Sequence, residues 1–524
     1  MKLNEEKNKS RRKEVVIAVL VAFLFFLYYS FWIFKLYPTL INDEYSALEY
    51  VYRVVKAGQV FPTPHRFHKP YSLILGFLAF AGGALAYELV CAGFSAGLVF
   101  VFFLCARRRL SYRWALLASI MLGFAPDHFT NTLRAITMIP AGFFIFLAIY
   151  RGFELPDNPE RWKKYSATAF LGGLARPEAW LLAFPLAGWL FPKNKKQILR
   201  WLLSGALIAL SALIWFGKDL YLNHNFFHSF EVAKYDKIIG TGAYFGPFKS
   251  LYFFYHFLSR RFSKIFLPFS VLGFFLYGFS LRKKCLKDLI FVMTLLFFFF
   301  FYFSTLSGVY PQMRFYYLLA NCLIFFSAYL LERIEQGFKT GSLKWVSRLG
   351  AFLLLGWYFF WTGYATKTNE LGFLKRESKL QRETIKLAEF LKPFIDHKRH
   401  RLLISDRRDD ELSWLLRDLP IQNYIHFRET HFCERFYGRD YPYLARVGVE
   451  FRRNLEEICQ GRKNFLDFQP EWIIWLDNDF QYQGVEQMYQ WLQWQDRTKL
   501  YGYLIELIAQ IGEYRVFQVK KLNQ

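Results

Sequence analysis

Two clusters of charged residues lie between the first two apolar segments of the chain. Asp43 and Glu44 are adjacent acids that follow the first apolar run, and a basic group that ends in Lys69 precedes the second. A carboxylate can take a proton from a hydroxyl as a general base, and cations nearby can stabilise an anion. Each cluster also has an ordinary interpretation, because Asp often caps a helix and basic residues often line membrane interfaces.

The basic group also contains two histidines, His65 and His68. Their His-x-x-His spacing occurs in metal sites, but the sequence places no third ligand beside them. Lys and Arg can supply the positive charge that such a site needs. We therefore expect neither a metal nor another cofactor.

The chain that carries these clusters has the composition of a membrane protein. Of its 524 residues, 54% are hydrophobic and 21% are aromatic. Its apolar runs recur at the length that an α-helix needs to cross a bilayer. The first run, 15–34, is too long for the apolar core of a signal peptide, and no small-residue cleavage site follows it. It is therefore predicted to be a retained anchor.

The net charge of +25 does not indicate a nucleic-acid-binding protein. Residues 1–365 hold 41 Lys and Arg against 18 Asp and Glu, whereas residues 366–524 hold 26 against 24. The excess belongs to the apolar part, where basic loops set the orientation of membrane helices. A nucleic-acid-binding surface would place a basic face on the polar part, so we expect no nucleic-acid partner.

The distribution of basic residues predicts the sidedness of the chain. Six segments with four or five Lys or Arg each are predicted to be cytoplasmic. The links 126–134 and 307–314 hold one basic residue each and are predicted to lie outside. An odd number of crossings then places the part after residue 365 outside as well. The six basic segments are 7–13, 107–113, 151–164, 193–200, 282–287 and 332–348.

The apolar segments predict about eleven membrane crossings. Segment 71–105 is long for one helix and is predicted to be a bent span or a span with a re-entrant piece. The eleven segments are 15–34, 71–105, 113–125, 135–150, 165–175, 178–191, 198–216, 265–281, 289–306, 315–331 and 348–364.

The predicted fold class is a polytopic α-helical membrane protein with a C-terminal α/β extracytoplasmic domain. Residues 1–365 are the expected membrane domain, with the first outer loop at 35–70, and residues 366–524 are the expected soluble domain. Within the soluble domain, the spacing of apolar residues predicts a helix over 383–394 and strands over 401–405 and 470–477. Helical stretches are expected at 438–459 and 484–496.

The predicted topology gathers more charged residues on the outer side. Arg134 closes the second outer link, Arg176 and Glu178 lie in LARPEAW, and Arg314 lies in YPQMRFYYLL. A long loop over 217–264 is expected on the same side. Singly, each charged residue could be a helix cap or an interface anchor. Because charge beside hydrocarbon is costly and usually marks a ligand site, their shared side favours a substrate that is both anionic and lipidic.

The stretch NDEYSALEYVYRVVKAGQVFPTPHRFHKPYS resembles the first-loop signature of the GT-C superfamily of lipid-linked-sugar glycosyltransferases. It is most similar to the lipid A aminoarabinose transferases and the protein O-mannosyltransferases. The matching elements are Asp43-Glu44, Glu49, Ala57-Gly58 and Lys69-Pro70.

Two later stretches also resemble outer elements of that superfamily. They are GGLARPEAWLLAF (172–184) and YPQMRFYYLLA (310–320). The chain departs from many members at Ser46, where an Arg is common, and at Tyr71-Ser72, where Pro-Leu is common. The loop from Gly58 to Lys69 is also a few residues shorter than in the aminoarabinose enzymes. These departures leave the sugar and the acceptor open.

The resemblance implies an inverting transfer of a sugar from a polyprenyl-phosphate donor to a hydroxyl of a lipid, protein or glycan acceptor. It implies a multi-pass protein of the inner membrane with its N-terminus in the cytoplasm. By the family's pattern Asp43 is the base that takes the acceptor's proton, and Glu44 assists it. The residues implied for the lipid phosphate and the sugar are Lys69, His65, His68, Arg176, Glu178, Arg314 and Arg134.

Two other classes remain open from the residues alone. A transporter or flippase of lipid-linked glycans would use the same cations but would not need the acid pair, and such proteins often contain a repeated half. A polymerase or ligase of surface polysaccharide would share the outer arginines but not the Asp43-Glu44 opening.

Overall fold

A computed structural model gives the architecture of the chain. The residues that it describes are 2–38, 40, 45, 48, 51, 55, 74–77, 82–155, 158–185, 195–223, 226–227, 247–282, 288–307, 316–337, 342–394, 402–404, 412, 415–416, 424–426, 469–476, 496–500 and 502–522. They belong to two compact units. The helical unit comprises Met1–Ile41, Phe61–Phe230 and Phe245–Lys375, and the sheet unit comprises Asn42–Val60, Glu231–Tyr244 and Arg376–Gln524.

Long α-helices make up most of the described chain. In chain order they are α1 (Lys2–Leu36), α2 (Gly83–Arg107), α3 (Tyr112–Gly123), α4 (Pro126–Leu133), α5 (Met138–Gly152), α6 (Trp162–Ala175), α7 (Lys195–Asn223), α8 (Pro247–Leu281), α9 (Leu289–Ser307), α10 (Tyr317–Gly337), α11 (Ser342–Ala365) and α12 (Leu371–Leu391). A 3₁₀ helix, Pro177–Leu182, follows α6, and a π-helix, Thr366–Glu370, joins α11 to α12.

The prediction of a polytopic helical membrane protein is confirmed. Among the described residues, six helices are long and apolar enough to cross a membrane: α1, α2, α7, α8, α9 and α10. Helices α4 and α5 meet at a bend of 119° and together would make a seventh span. The predicted count of eleven is not confirmed, although a described helix overlaps each of the eleven predicted segments.

Three predicted segments differ from the structure. The link 126–134 is not an exposed loop, because eight of its residues form the buried helix α4. The predicted loop 217–264 is helical at both ends, where α7 extends to Asn223 and α8 begins at Pro247. The predicted span 178–191 begins as a 3₁₀ helix, and its residues after 185 lie outside the described part.

Three of the basic segments and the residues that follow two others meet at one end of the helical unit, which we call the basic end. Arg107 Nε donates to Glu14 of α1 at 2.9 Å, and Arg109 Nε donates to Asp288 at 2.7 Å. Arg108 pairs at 2.9 Å with Glu154, at the end of α5. Further partners of this turn come from α10, where Glu332 accepts the Ser111 amide at 2.9 Å and Glu335 accepts the Trp114 indole N–H at 2.7 Å. These segments therefore share a side, as their charge predicts.

The sheet unit contains a mixed six-stranded sheet. Its strands are β1 (Leu402–Ile404), β2 (Tyr424–His426), β3 (Trp472–Leu476), β4 (Arg497–Leu500), β5 (Tyr503–Ile511) and β6 (Tyr514–Lys521), in the spatial order β2-β1-β3-β6-β5-β4. Strand β1 pairs in parallel with β2 and β3, and the other three pairings are antiparallel. The predicted α/β class of the tail is confirmed.

Apolar side chains of helix and sheet form the core of this unit. Leu387 and Leu391 of α12 pack with Leu402 of β1, Ile474 of β3 and Val516 of β6, and all five are buried. The strands predicted over 401–405 and 470–477 match β1 and β3 within one or two residues. The helix predicted over 383–394 coincides with the C-terminal part of α12, which begins earlier, at Leu371. The expected helical stretch 438–459 lies outside the described residues, as does 484–496 except for its last residue.

Close contact between α8 and α10 generates a stability prediction. Gly273 faces α10 so closely that an added Cβ would overlap the carbonyl oxygen of Phe326, a backbone atom that cannot rotate away. Gly273→Ala should therefore lower the thermal unfolding temperature of the purified protein, since overpacking costs about 1–3 kcal/mol. Gly350→Ala is the matched control, because an added Cβ there meets no described atom within 4 Å. Equal unfolding temperatures for the two variants would contradict this contact.

Candidate active site

Helix α4 lies toward the end of the helical unit opposite the basic end. Helix α3 begins at Tyr112, beside the basic end, and its 12 residues advance the chain by about 18 Å at 1.5 Å per residue. All eight residues of α4 are buried although its sequence is PDHFTNTL. Buried polar groups need partners, so this helix is where the polar interior of the unit is organised.

An ion pair joins α4 to α8. Arg261, which is 1% exposed, donates from Nη1 to Asp127 Oδ2 at 2.7 Å. Its Nη2 donates to the side-chain oxygen of Asn321 on α10 at 2.8 Å. A guanidinium so far from water requires a countercharge and hydrogen-bond acceptors. Arg261 therefore ties three helices together and presents no free charge to a ligand.

His128 extends this polar network across the next residue of α4. Its ring nitrogens lie 2.7 Å from Ser95 Oγ on α2 and 2.5 Å from the Tyr317 hydroxyl on α10. The rings of His128 and Tyr317 are stacked with centroids 5.9 Å apart. Ser95 also hydrogen-bonds Thr132 one turn further along α4. We call Ser95, Asp127, His128, Arg261, Tyr317 and Asn321 the buried polar cluster.

Helix α8 is interrupted two residues after Arg261. Ser263 has φ +66° and breaks the helical path, and its Oγ accepts the backbone N–H of Phe266 at 3.1 Å. A Ser that accepts an amide three residues later is acting as an N-cap. The break therefore ends one helix at the Arg260-Arg261 pair and starts another. Arg260 is exposed, and its backbone oxygen accepts the Trp361 indole N–H at 3.3 Å.

A half-buried glutamate lies at the same end of the unit. Glu370 is the last residue of the π-helix, and its Oε2 accepts the hydroxyl of Thr130 on α4 at 2.5 Å. Arg134, which follows α4, lies with its guanidinium 5.0 Å from the ring centroid of Phe373. We call Thr130, Arg134, Arg260 and Glu370 the Glu370 cluster.

Opposing effects act on the ionisation of Glu370. Burial raises the pKa of its carboxyl above the usual value, and the negative charge of Asp127 acts in the same direction. The hydrogen bond from Thr130 and the positive charges of Arg134 and Arg260 lower the pKa. The net effect is a pKa above the usual value of a glutamate, and burial is its largest cause.

The two candidates Arg176 and Glu178 are in contact with each other. Arg176 caps the end of α6 in an extended conformation, and the Pro177–Leu182 helix returns Glu178 to it. Arg176 Nη2 donates to Glu178 Oε1 at 2.8 Å and Nε to Oε2 at 3.1 Å. Both residues are buried, so much of the positive charge predicted for a phosphate is already balanced here.

The other predicted site residues lie outside the described part of the chain. They are Asp43, Glu44, His65, His68, Lys69 and Arg314. Just after the acid pair, Tyr45, Leu48 and Val51 are helical and buried, which is the spacing of one helix face. In the described ranges no group of three His, Cys, Asp or Glu residues has the geometry to hold a metal ion.

Three residues with clear structural roles were missed by sequence reasoning. Arg260 and Arg261 were placed in a loop because, with Lys264, they interrupt the apolar pattern of α8. Glu370 was placed just beyond the last span without a role. One signal could have identified Arg261: it lies inside α8, a segment long enough to cross the membrane, and a buried charge there requires a partner.

Two solved structures are similar to this chain in fold. ArnT from Cupriavidus metallidurans bound to undecaprenyl phosphate matches with a TM-score of 0.56 at 11% identity, over 96% of this chain and 97% of that chain. The archaeal oligosaccharyltransferase AglB from Archaeoglobus fulgidus, in complex with an inhibitory peptide and a dolichol-phosphate, matches with a TM-score of 0.52 at 11% identity. That match covers 89% of this chain and 69% of AglB.

This chain has the GT-C-like fold. The resemblance predicted from residues 42–72 is therefore confirmed at the level of the fold, and the ArnT match extends over nearly the whole length of both proteins. No protein-family model and no curated protein sequence matches the chain. At 11% identity, structural likeness transfers architecture and not residue roles.

The Asp127–Arg261 pair generates a prediction about stability. Arg261→Gln leaves the Asp127 charge buried without its partner, which should destabilise the protein by about 3–5 kcal/mol. Adding Asp127→Asn to Arg261→Gln should recover part of that loss, because the orphaned charge is removed. Thermal unfolding of the purified variants measures both effects.

The matched control uses a more exposed ion pair of the same unit. Arg161 pairs with Glu154 at 2.6 Å while 43% of its side chain is exposed. Arg161→Gln should change stability by less than about 1 kcal/mol. If Arg261→Gln were equally mild, the buried pair would not organise α4.

Proposed function

We propose that this protein is an inverting glycosyltransferase that moves a sugar from a polyprenyl-phosphate donor to an acceptor hydroxyl. One observation carries the proposal: the structure of ArnT, which holds undecaprenyl phosphate, matches 96% of this chain. The resemblance of residues 42–72 to the GT-C first-loop signature agrees with it. AglB, an oligosaccharyltransferase, was solved with dolichol-phosphate, which is a lipid phosphate of the same chemical class. A transporter of lipid-linked glycans is not favoured by these comparisons.

The proposed chemistry breaks one bond and forms one bond at the anomeric carbon. The acceptor oxygen attacks that carbon, Asp43 takes the hydroxyl proton as general base, and the bond to the phosphate oxygen breaks. Glu44 supports Asp43. The departing group is polyprenyl phosphate, whose growing negative charge requires cations.

The cations proposed for this phosphate come from several segments. Lys69 and Arg314 are the first candidates, with His65 and His68 as further donors. Arg176 would contribute a positive charge, part of which is balanced by Glu178, its buried partner. Arg260 is a further candidate, since it is exposed and forms no ion pair with a described residue. Arg134 and Glu178 complete the predicted set of substrate contacts.

The proposed orientation places the basic end in the cytoplasm. Its support is the excess of Lys and Arg in the segments that meet there, since cytoplasmic loops of membrane proteins are enriched in these residues. The protein would then lie in the inner membrane with residues 366–524, the proposed extracytoplasmic domain, on the side where acceptors are modified. Acceptors are lipids, proteins or glycans with a free hydroxyl.

Loss of the proposed base supplies the direct test of activity. Purified protein is incubated with a panel of polyprenyl-phosphate sugars, and free polyprenyl phosphate is measured by mass spectrometry. Asp43→Asn should reduce its release at least about 100-fold, because general-base catalysis contributes 10²–10⁴-fold. The variant should keep the wild-type unfolding temperature. Near-wild-type release by Asp43→Asn would remove Asp43 from this role.

Reporter fusions test the proposed orientation. Alkaline phosphatase fused after Gln524 should be active, because it folds only outside the cytoplasm, and green fluorescent protein at the same position should stay dark. The same pair of reporters fused after Lys195, within the predicted cytoplasmic segment 193–200, serves as the control and should give the opposite result. A fluorescent fusion after Gln524 would reverse the assignment.

A further inference from the structure

The Glu370 cluster contains two polar side chains, Glu370 and Thr130, that the proposed chemistry has not used. Its members come from the end of α4, from the end of the first part of α8 and from the π-helix, all within the helical unit. Residue by residue, the sequence gives no reason to group them. Short π-helical turns are rare in proteins as a whole, but many of those that occur lie at functional sites.

The Glu370 carboxylate retains capacity to bind. Thr130 donates to Oε2, and no other described residue hydrogen-bonds the carboxylate or pairs with it as an ion. In Glu178, by contrast, both carboxylate oxygens accept hydrogen bonds from Arg176. Glu370 is therefore oriented by a neutral hydroxyl while its charge remains available.

The groups around Glu370 indicate the chemistry of a ligand. Arg134 and Arg260 lie within electrostatic range of the carboxylate. Phe373 is 38% exposed beneath Arg134, and Trp361 is partly exposed beside the backbone of Arg260. A carboxylate accepts hydroxyl protons, guanidinium groups donate N–H bonds, and aromatic faces cover apolar C–H surfaces.

These requirements match a sugar ring better than they match a phosphate. A phosphate is repelled by a carboxylate such as that of Glu370. A sugar carries several hydroxyls that donate to such a carboxylate and C–H faces that pack on aromatic rings. The exposed Arg260 then remains available for the phosphate to which the sugar is attached.

We propose that Glu370 is a sugar-binding residue of the donor site and helps to determine which polyprenyl-phosphate sugar is used. Its carboxylate accepts hydrogen bonds from ring hydroxyls, and the guanidinium groups of Arg134 and Arg260 supply N–H donors. This inference rests on the proposed function, because it names the group that recognises the donor's sugar.

The experiment measures the preference of the protein for a sugar-bearing lipid over the bare lipid. Equilibrium affinities are determined for polyprenyl phosphate and for polyprenyl-phosphate mannose, glucose and arabinose of the same chain length. The wild type should bind one of the sugar donors more tightly than bare polyprenyl phosphate. Glu370→Gln should reduce that preference about 10-fold, since charge-assisted hydrogen bonds are roughly twice as strong as neutral ones. Affinity for bare polyprenyl phosphate should be unchanged.

Two further variants separate recognition from folding. Glu335→Gln is the control, because Glu335 is also a half-buried carboxylate with one neutral donor, Trp114, but lies at the basic end. It should leave the preference unchanged. Thr130→Val keeps the Glu370 charge and removes its orienting hydroxyl, so it should reduce the preference in the same direction by a smaller factor.

The outcomes distinguish this inference from the proposed function. A wild type without preference for any sugar donor, or a Glu370→Gln variant with wild-type preference, overturns the role of Glu370. Equal weakening toward bare and sugar-bearing lipid by Glu370→Gln also overturns it, because the residue would then act on the phosphate or the fold. A wild type that prefers a sugar donor but releases no polyprenyl phosphate with any acceptor contradicts the transferase and supports the sugar site.

Discussion

The positive charge of Arg261 is the constraint on which the helical unit depends. An unpaired guanidinium is very costly to bury, and this one is 1% exposed. Its countercharge, Asp127, is 134 residues earlier in the chain. Helix α4 must therefore sit against α8, and its remaining polar residues must find partners on α2, α10 and the π-helix. One ion pair in a low-dielectric interior thus explains why a short polar helix lies fully buried among apolar ones.

The same pair separates two kinds of charge in the unit. Consecutive residues of a helix point about 100° apart, so inward burial of Arg261 directs Arg260 away from the core. The buried arginines Arg261 and Arg176 are balanced by carboxylates, and they hold helices together. Exposed Arg260 and half-buried Glu370 keep part of their binding capacity. A rigid interior built from satisfied pairs supports a surface whose charges are available to a substrate.

Sequence reasoning succeeded where the physical signal is local. The first apolar run, 15–34, lies within α1, and WIIWL forms β3, because hydrophobic length and β-branched residues act over a few residues. The signature at 42–72 led to the correct fold because it is a contiguous pattern. The sequence could not reveal that Arg176 and Glu178 bind each other, because a 3₁₀ turn brings them together. Sequence reasoning also missed Arg261. Its charge lowers the local hydropathy, and the partner that makes its burial tolerable, Asp127, is far away in the sequence.

The contacts of the basic end have a consequence for how the protein is made. The Ser111 amide and the Trp114 indole N–H find their acceptors on Glu332 and Glu335, 221 residues later. At 5–20 residues per second, the ribosome needs about 10–45 s to supply those carboxylates. During that time the Ser111 amide and the Trp114 indole N–H lack the acceptors that α10 supplies. A nascent chain truncated before α10 would leave both donors without their acceptors on Glu332 and Glu335.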